Sequence, residues 1–270
     1  MELKIGDHTE ALSNKGRVGF ENFGINVAKD QFVIALAGNP NVGKSTVFNS
    51  LTGLHQHTGN WPGKTVDNAQ GTFTYRGKQF LLVDLPGTYS ILAHSVEEEI
   101  ARDFICFGQP DVTVVVLDAT SLERNLNLAL QIMEITSRIV VCVNLMDEAR
   151  KKRITIDFPT LEKELGVPVV ATAARNGEGL DKLQQAIFKI AVEKQPTEPK
   201  QIVYSDEVEK IIRILQGKIE EVGMAEIINP RWLALRLLDS DPTFVESIGR
   251  YLNLYKRNQM IHAKGERVAL

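Results

Sequence analysis

Residues Gly38-Asn39-Pro40-Asn41-Val42-Gly43-Lys44-Ser45 spell G-x-x-x-x-G-K-[ST], and their flanks decide what that spacing can fold into. The apolar run Phe32-Val33-Ile34-Ala35-Leu36-Ala37 suits a buried strand, and Lys44 through Leu51 suits a helix. Strand, glycine-bounded loop and helix start, in that order, make a phosphate cradle. The glycines let successive N–H groups turn toward one anion, and the helix N-terminus adds the positive end of its dipole. Lys44 can reach the β- and γ-phosphates of a nucleoside triphosphate, Ser45 can ligate Mg²⁺, and Thr46 closes the cofactor-binding run.

Strand and helix signals alternate on either side of this loop. Strands are expected at 32–37, 69–76, 79–84, 111–118, 139–145 and 167–172, with Arg76-Gly77-Lys78 as a hairpin turn. Helices are expected at 44–52, 95–106, 121–136, 159–166 and 179–193. The runs Val112 to Leu117 and Ile139 to Val143 are continuously apolar, as in strands covered on both faces. The fold class is therefore α/β: a P-loop domain with a mostly parallel six-stranded sheet flanked by helices, followed by a small all-helical domain. In such sheets ligands bind outside the carboxyl ends of the strands. Glu193 to Lys200 carries two prolines and four charges and reads as a break. Beyond it Val208, Ile211, Ile212, Leu215 and Ile219 recur at helical spacing, and Asn229-Pro230 and Asp241-Pro242 open two further helices. The expected division is an extension at 1–30 without assigned chemistry, a nucleotide domain at 31–194, a linker at 195–200 and a helical domain at 201–270. Trp232 is expected in the core of the last.

The base is named downstream. Asn144-Leu145-Met146-Asp147 is an N-x-x-D at the end of the strand 139–143. A carboxylate there accepts two hydrogen bonds from guanine, from the ring N–H and the exocyclic amine. Adenine offers no such pair and would leave Asp147 unmet, which makes discrimination steep. Asp84-Leu85-Pro86-Gly87 is a D-x-x-G at the end of Gln79 to Val83. Asp84 can hold Mg²⁺, and the Gly87 N–H can sense a γ-phosphate. Between these motifs lies His57-Thr58-Gly59-Asn60-Trp61-Pro62-Gly63-Lys64-Thr65, expected as a long mobile loop. Thr65, beside Gly63, is the candidate hydroxyl that closes on Mg²⁺ only when a γ-phosphate is present. The small-residue stretch Ala173-Ala174-Arg175 is placed to meet the guanine oxygen through its backbone. The assigned catalytic set is Asn41, Lys44, Thr65 and Gly87.

This order over 32–194 resembles the translation-factor-like small GTPases. Within them it is similar to the N-terminal cytosolic part of the FeoB family of bacterial ferrous-iron transporters. The likeness rests on Gly38 to Ser45, on Gly59-Asn60-Trp61-Pro62-Gly63 with Thr65, and on Asp84-Leu85-Pro86-Gly87-Thr88-Tyr89-Ser90. It implies GTP and GDP as ligands, Mg²⁺, slow hydrolysis, and a K⁺ held by Asn41 with the carbonyls of Gly59 and Trp61. Thr88 stands where many GTPases carry glutamine, and a K⁺ would offset transition-state charge in its stead. From the residues alone Asn41 reads rather as a turn former, whose side chain stabilises its own turn. The resemblance further implies a membrane channel in the same parent protein as partner, and a place on the cytoplasmic face of the inner membrane. Self-association is left open.

Other bounds are coarser. Net charge is −3, which argues against bulk capture of nucleic acid. No apolar run approaches the ~20 residues of a membrane span, so the chain as given is expected to be soluble. Cys106 and Cys142 sit in apolar runs as core residues, and no signal peptide is evident. His55 and His57 lack a third ligand, and neither they nor His94 is assigned to metal. Two other functions remain as alternatives: an RNA- or ribosome-associated GTPase, and a nucleotide-switched interaction module with negligible hydrolysis.

Overall fold

The computed structural model describes residues 19–53, 56–92, 94–239 and 242–265. His55 and most of the 1–30 extension lie outside them. The sheet has seven strands: β1 (Gln31–Gly38), β2 (Gln56–Asn60), β3 (Asp67–Tyr75), β4 (Lys78–Asp84), β5 (Val112–Asp118), β6 (Ile139–Asn144) and β7 (Val169–Ala171). Their order is β2-β3-β4-β1-β5-β6-β7. The pairings β1–β4, β1–β5, β5–β6 and β6–β7 are parallel, and β2–β3 and β3–β4 are antiparallel. The six strands expected are thus joined by a seventh, inside the segment expected as loop. Residues 57–60 of β2 are polar and exposed, and β2 pairs only with β3. A one-sided polar edge strand carries no hydrophobic alternation by which to read it.

Local chemistry sets the other boundaries. The β3–β4 hairpin turns at Arg76 (φ 47°) and Gly77 (φ 74°), two consecutive left-handed residues that match the twist of antiparallel strands. Helix α1 (Lys44–Thr52) follows the phosphate loop. Helix α2 (Val96–Asp103) is capped by Ser95, whose hydroxyl accepts from the Glu98 N–H, and Glu97 to Glu99 meet the positive end of its dipole. It ends earlier than the expected 106, opening into a wider π turn at Phe104–Gly108. There Gly108 leaves room for three rings: a Cβ on it would touch Phe20, Phe23 and Phe104 at 3.5 Å.

Helices α3 (Leu122–Ile135), α4 (Met146–Lys151), α5 (Phe158–Leu165) and α6 (Leu180–Ala191) complete the α/β part. Helix α4 was not expected, because a one-and-a-half-turn helix is too short to show a period. The core divides across the sheet. Val47, Phe48 and Leu51 of α1 and Leu183, Ile187 and Ile190 of α6 cover one face. Ile100, Leu128 and Ile132, of α2 and α3, cover the other.

Three more helices follow: α7 (Asp206–Glu221), α8 (Pro230–Leu238) and α9 (Pro242–Gly265). Asn229 caps α8 by accepting from the Arg231 and Trp232 N–H groups, with Pro230 in the first turn. Ile212, Ile219, Trp232, Leu233 and Phe244 join the same apolar core as the α2–α3 face of the sheet. Trp232 is 3% exposed and stacks on Phe244 at 4.8 Å. Polar ties cross the same boundary. Arg231 pairs with Glu209 at 2.8 Å and with Glu134 of α3 at 3.4 Å. The buried Arg102 of α2 donates to Ser247 of α9 at 2.9 Å, while Ser247 donates to Asp103 at 3.0 Å. The stretch at 195–200 is itself fixed. The Glu198 and Lys200 N–H groups donate to the Gly166 and Leu165 carbonyls. A Cβ on Gly166 (φ +71°) would collide with the Glu198 oxygen.

Candidate nucleotide-binding site

The phosphate loop emerges from β1 at the carboxyl edge of the sheet. Its curl needs two left-handed residues, Asn41 (φ 66°) and Gly43 (φ 80°). Gly43 is required a second time, since a Cβ there would lie 2.5 Å from the Asn144 side-chain nitrogen. Gly38 is closed in likewise, by the Val116 carbonyl at 2.7 Å from a built Cβ. Lys44 and Ser45 then open α1, with Asn39 and Val42 buried beneath the loop and Pro40 half-buried.

Parallel pairing brings the second motif alongside. Leu36 of β1 lies opposite Asp84 at the end of β4. The Lys44 ammonium donates to the Asp84 carboxylate, and both side chains are largely buried. Burial holds the Asp84 carboxyl above the usual aspartate range, with the Lys44 charge and hydrogen bond opposing it. After Asp84 the chain stays against the loop. The Leu85 N–H donates to the Leu36 carbonyl, the Thr88 N–H donates to the Gly38 carbonyl at 3.2 Å, and Gly87 sits over Pro40. Thr88 is buried with its backbone spent on this contact.

Asn144 ties the base end to the phosphate end. It is 1% exposed, and its amide nitrogen donates to the Val42 carbonyl at 3.1 Å. Its amide oxygen accepts from the Thr172 hydroxyl and from the Ala174 N–H, each at 3.1 Å. Asn144 therefore braces the two loops. The next residue, Leu145, is left-handed (φ 63°) and starts α4, and the Met146 N–H donates to the Thr172 carbonyl. Asp147 follows in the first turn of α4, half-buried. Among the described residues its carboxylate has no hydrogen-bond or ion-pair partner, so both oxygens are available to a ligand. Ala173, Ala174 and Arg175 form a tight turn closed by reciprocal bonds between Ala173 and Glu178.

Two residues of this edge were missed from sequence. Thr172 holds Asn144, and Ser50 of α1 donates to the Ala174 carbonyl at 3.1 Å. A hydroxyl immediately before the small-residue loop was the available signal for Thr172. Ser50 carried none, because its partner is 124 residues away.

The remaining site residues are not gathered here. Gly59 lies in β2, opposite Asn68 of β3, three strands along from β1. That is roughly 14 Å at about 4.8 Å per strand. Trp61 is buried against Phe104, and its carbonyl accepts from the Lys64 N–H at 3.0 Å. Thr65 and Gly63 are exposed on the turn that follows.

A glycine-bounded loop at a helix start, a buried carboxylate paired with Lys44 and an unpartnered carboxylate are thus assembled on one edge. The family model described as Ferrous iron transport protein B matches residues 32–187, and that of the FeoB cytosolic helical domain matches 204–268. The chain belongs to the FeoB family. The Fe(2+) transporter FeoB of Methanocaldococcus jannaschii is 46% identical over 217 residues, covering 80% of this chain and 32% of the relative. The cytosolic domain of the T. maritima FeoB iron transporter in a GDP form aligns with a TM-score of 0.74 at 39% identity. That match covers 83% of this chain and 85% of the other. The same domain in its GMPPNP form aligns at 0.73 and 37% identity, covering 84% and 94%. The chain spans about a third of the length of the curated FeoB relatives it matches. Among the described residues no helix is long and apolar enough to cross a membrane.

Proposed function

We propose that this chain is the GTP-binding and GTP-hydrolysing cytosolic part of a ferrous-iron transporter, whose nucleotide state regulates iron uptake by a membrane channel in the same protein. One observation carries the reading. Asn144 joins the phosphate loop to the small-residue loop, and Asp147 stands beside it with both carboxylate oxygens available. A ligand reaching from Lys44 to Asp147 has phosphates at one end and paired N–H donors at the other, which describes a guanine nucleotide. The T. maritima relative in GDP and GMPPNP forms supports this choice.

In this proposal Lys44 and the N–H groups of 39–46 hold the phosphates, and the Gly87 N–H senses the γ-phosphate. Mg²⁺ fits the donor set, since Ser45 in the first turn of α1 and Asp84 at the end of β4 are hard oxygen ligands and the buried Asp84 carboxylate has a single counter-charge. When bound, the ion would neutralise charge developing between the β- and γ-phosphates. Thr65 would be a further oxygen ligand once the segment around it moved in. K⁺ is proposed as an activator through Asn41, whose proposed partners Gly59 and Trp61 stand apart from it in this conformation. Thr88, buried and bonded through its N–H to the Gly38 carbonyl, has too short a side chain to serve as a glutamine would, in keeping with slow turnover. That burial also favours the alternative of a switch module with negligible hydrolysis.

Residues 31–194 would form the GTPase unit, 195–200 the linker and 201–270 the helical unit, on the cytoplasmic face of the membrane. Iron is the cargo of the channel. Among the described residues no group of three or more His, Cys, Asp or Glu could hold a metal ion. A GTPase assay in KCl and in NaCl tests the reading. Turnover of GTP but not ATP, faster in KCl and insensitive to ribosomes or tRNA, is expected. Equal rates in the two salts would remove the K⁺ role, and absence of turnover in either would leave the switch module.

A further inference from the structure

The described end of the N-terminal extension is built into the seam between the segment that carries Thr65 and the last helix. Phe20 to Phe23 form one tight turn, closed by Gly24 in a left-handed conformation (φ 72°). Phe23 is 5% exposed and Ile25 is 0% exposed. The Phe23 ring stacks on Tyr251 of α9 at 5.4 Å and meets Phe104 edge-on at 5.2 Å. Trp61 meets the same Phe104 ring at 5.6 Å. Gly24 lies directly under Pro62: a Cβ on it would stand 3.2 Å from the proline ring. The Gln70 amide of β3 donates to the Gly24 carbonyl at 3.4 Å. An ionic tie runs alongside. Glu99 of α2 takes Lys64 at 3.0 Å through one oxygen and faces Arg250 of α9 at 3.6 Å through the other. A cavity of about 50 Å³ remains between Phe23, Trp61, Glu99 and Tyr251, with room for a water.

These contacts bracket Thr65. Lys64 is pinned to Glu99, and the Val66 carbonyl accepts from the Trp61 N–H. Thr65 therefore stands at the outer edge of the sheet, while Asp84 ends the inner strand β4 and Ser45 lies in the first turn of α1, beyond β1. Trp61 is seated by apolar contact: its indole nitrogen is buried without a hydrogen-bond partner. Such a seat can be vacated without leaving a broken polar bond behind.

We propose that residues 20–25, with Glu99, form an intramolecular latch that holds the 61–66 segment against α9 and opposes its closure on a γ-phosphate. This rests on the GTPase reading above. The latch binds only the open arrangement, so a ligand that requires Thr65 at the Mg²⁺ must displace it, and its apparent affinity falls by the fraction of molecules unlatched. GDP makes no such demand. The coupling is reciprocal: occupying the γ-phosphate position loosens the Phe23, Trp61 and Tyr251 contacts and so changes the hold on α9.

The test uses the whole 270-residue chain with Trp232→Phe, leaving Trp61 as the single tryptophan. Emission is followed during titration with a non-hydrolysable GTP analogue or with GDP, each with Mg²⁺. The analogue is expected to shift Trp61 emission to the red, and GDP is not. Phe23→Ala and Glu99→Gln should each raise analogue affinity about tenfold and leave GDP affinity within about twofold. Glu99→Gln removes the ion pairs while leaving the aromatic seam, so it decides the matter if Phe23→Ala fails to fold. Analogue affinity unchanged in the folded variants, or Trp61 emission blind to the analogue while it binds, overturns the latch. A parent that binds neither nucleotide overturns the GTPase reading itself.

Discussion

The phosphate-and-base edge and the 56–66 ribbon are both rich in motif residues, yet one is assembled and the other is not. At the edge, Asn144 alone engages three elements, and Gly43 allows the approach that makes this possible. The ribbon hangs on β3 at the rim of the sheet, and its anchoring side chain, Trp61, is turned into the seam with α9. On the proposed function, the region that would recognise a ligand in every state is cross-braced, and the region that would respond to one phosphate is held by contacts it can exchange.

That contrast can be broken most sharply at Lys44. Lys44→Ala removes the phosphate cation and strands Asp84 as an unpaired buried carboxylate. A loss of about 3–5 kcal/mol is expected where one partner of such a pair is removed. Calorimetry should find no measurable GTP or GDP binding, and micromolar binding would show the edge to be less interdependent than its geometry says. Asn144→Ala comes next, since it unties both loops at once. About 2–4 kcal/mol of GDP affinity should go, with a matching fall in melting temperature. If only base selectivity fell and phosphate affinity held, the two loops would be independent.

Asp147→Asn sharpens the base end. The amide offers a donor where guanine needs acceptors, so GTP affinity should fall about 100-fold while xanthosine triphosphate gains, by competition binding. The smallest effect belongs to Ser50→Ala. One neutral hydrogen bond to the Ala174 carbonyl is lost, worth about 0.5–1.5 kcal/mol. It should appear as GDP dissociation a few-fold faster in stopped flow, with Ser50→Thr restoring the rate. The ribbon should be indifferent to Ser50, and a change in Trp61 emission there would erase the distinction between the regions.

How much was legible follows the range of the interactions. The phosphate loop, the D-x-x-G and the N-x-x-D were readable because each is a strand end and a turn, set by neighbours in sequence. The central strands were readable because both their faces are buried and their runs are continuously apolar. Strand β2 was hidden by its polarity and helix α4 by its length. The bracing role of Asn144 was hidden, because its partners Val42, Thr172 and Ala174 come from other segments. Ser50 and Phe23 were unreadable for the same reason: their meaning lies in Ala174 and in Tyr251, each more than a hundred residues away.

The amino-acid sequence by itself determined the local pieces at the carboxyl edge: a glycine-bounded loop at a helix start and the Asp84 and Asp147 carboxylates, which the proposed function takes as a phosphate cradle, a magnesium ligand and a guanine reader. Backbone conformation there is local, and glycine and asparagine at the left-handed positions suffice to specify it. Only the tertiary structure decided which of those residues act together, and where the Thr65 segment rests. That choice is made by burial of Phe23, Trp61 and Tyr251 around Phe104, and apolar contact is non-directional, so no spacing in the chain announces it.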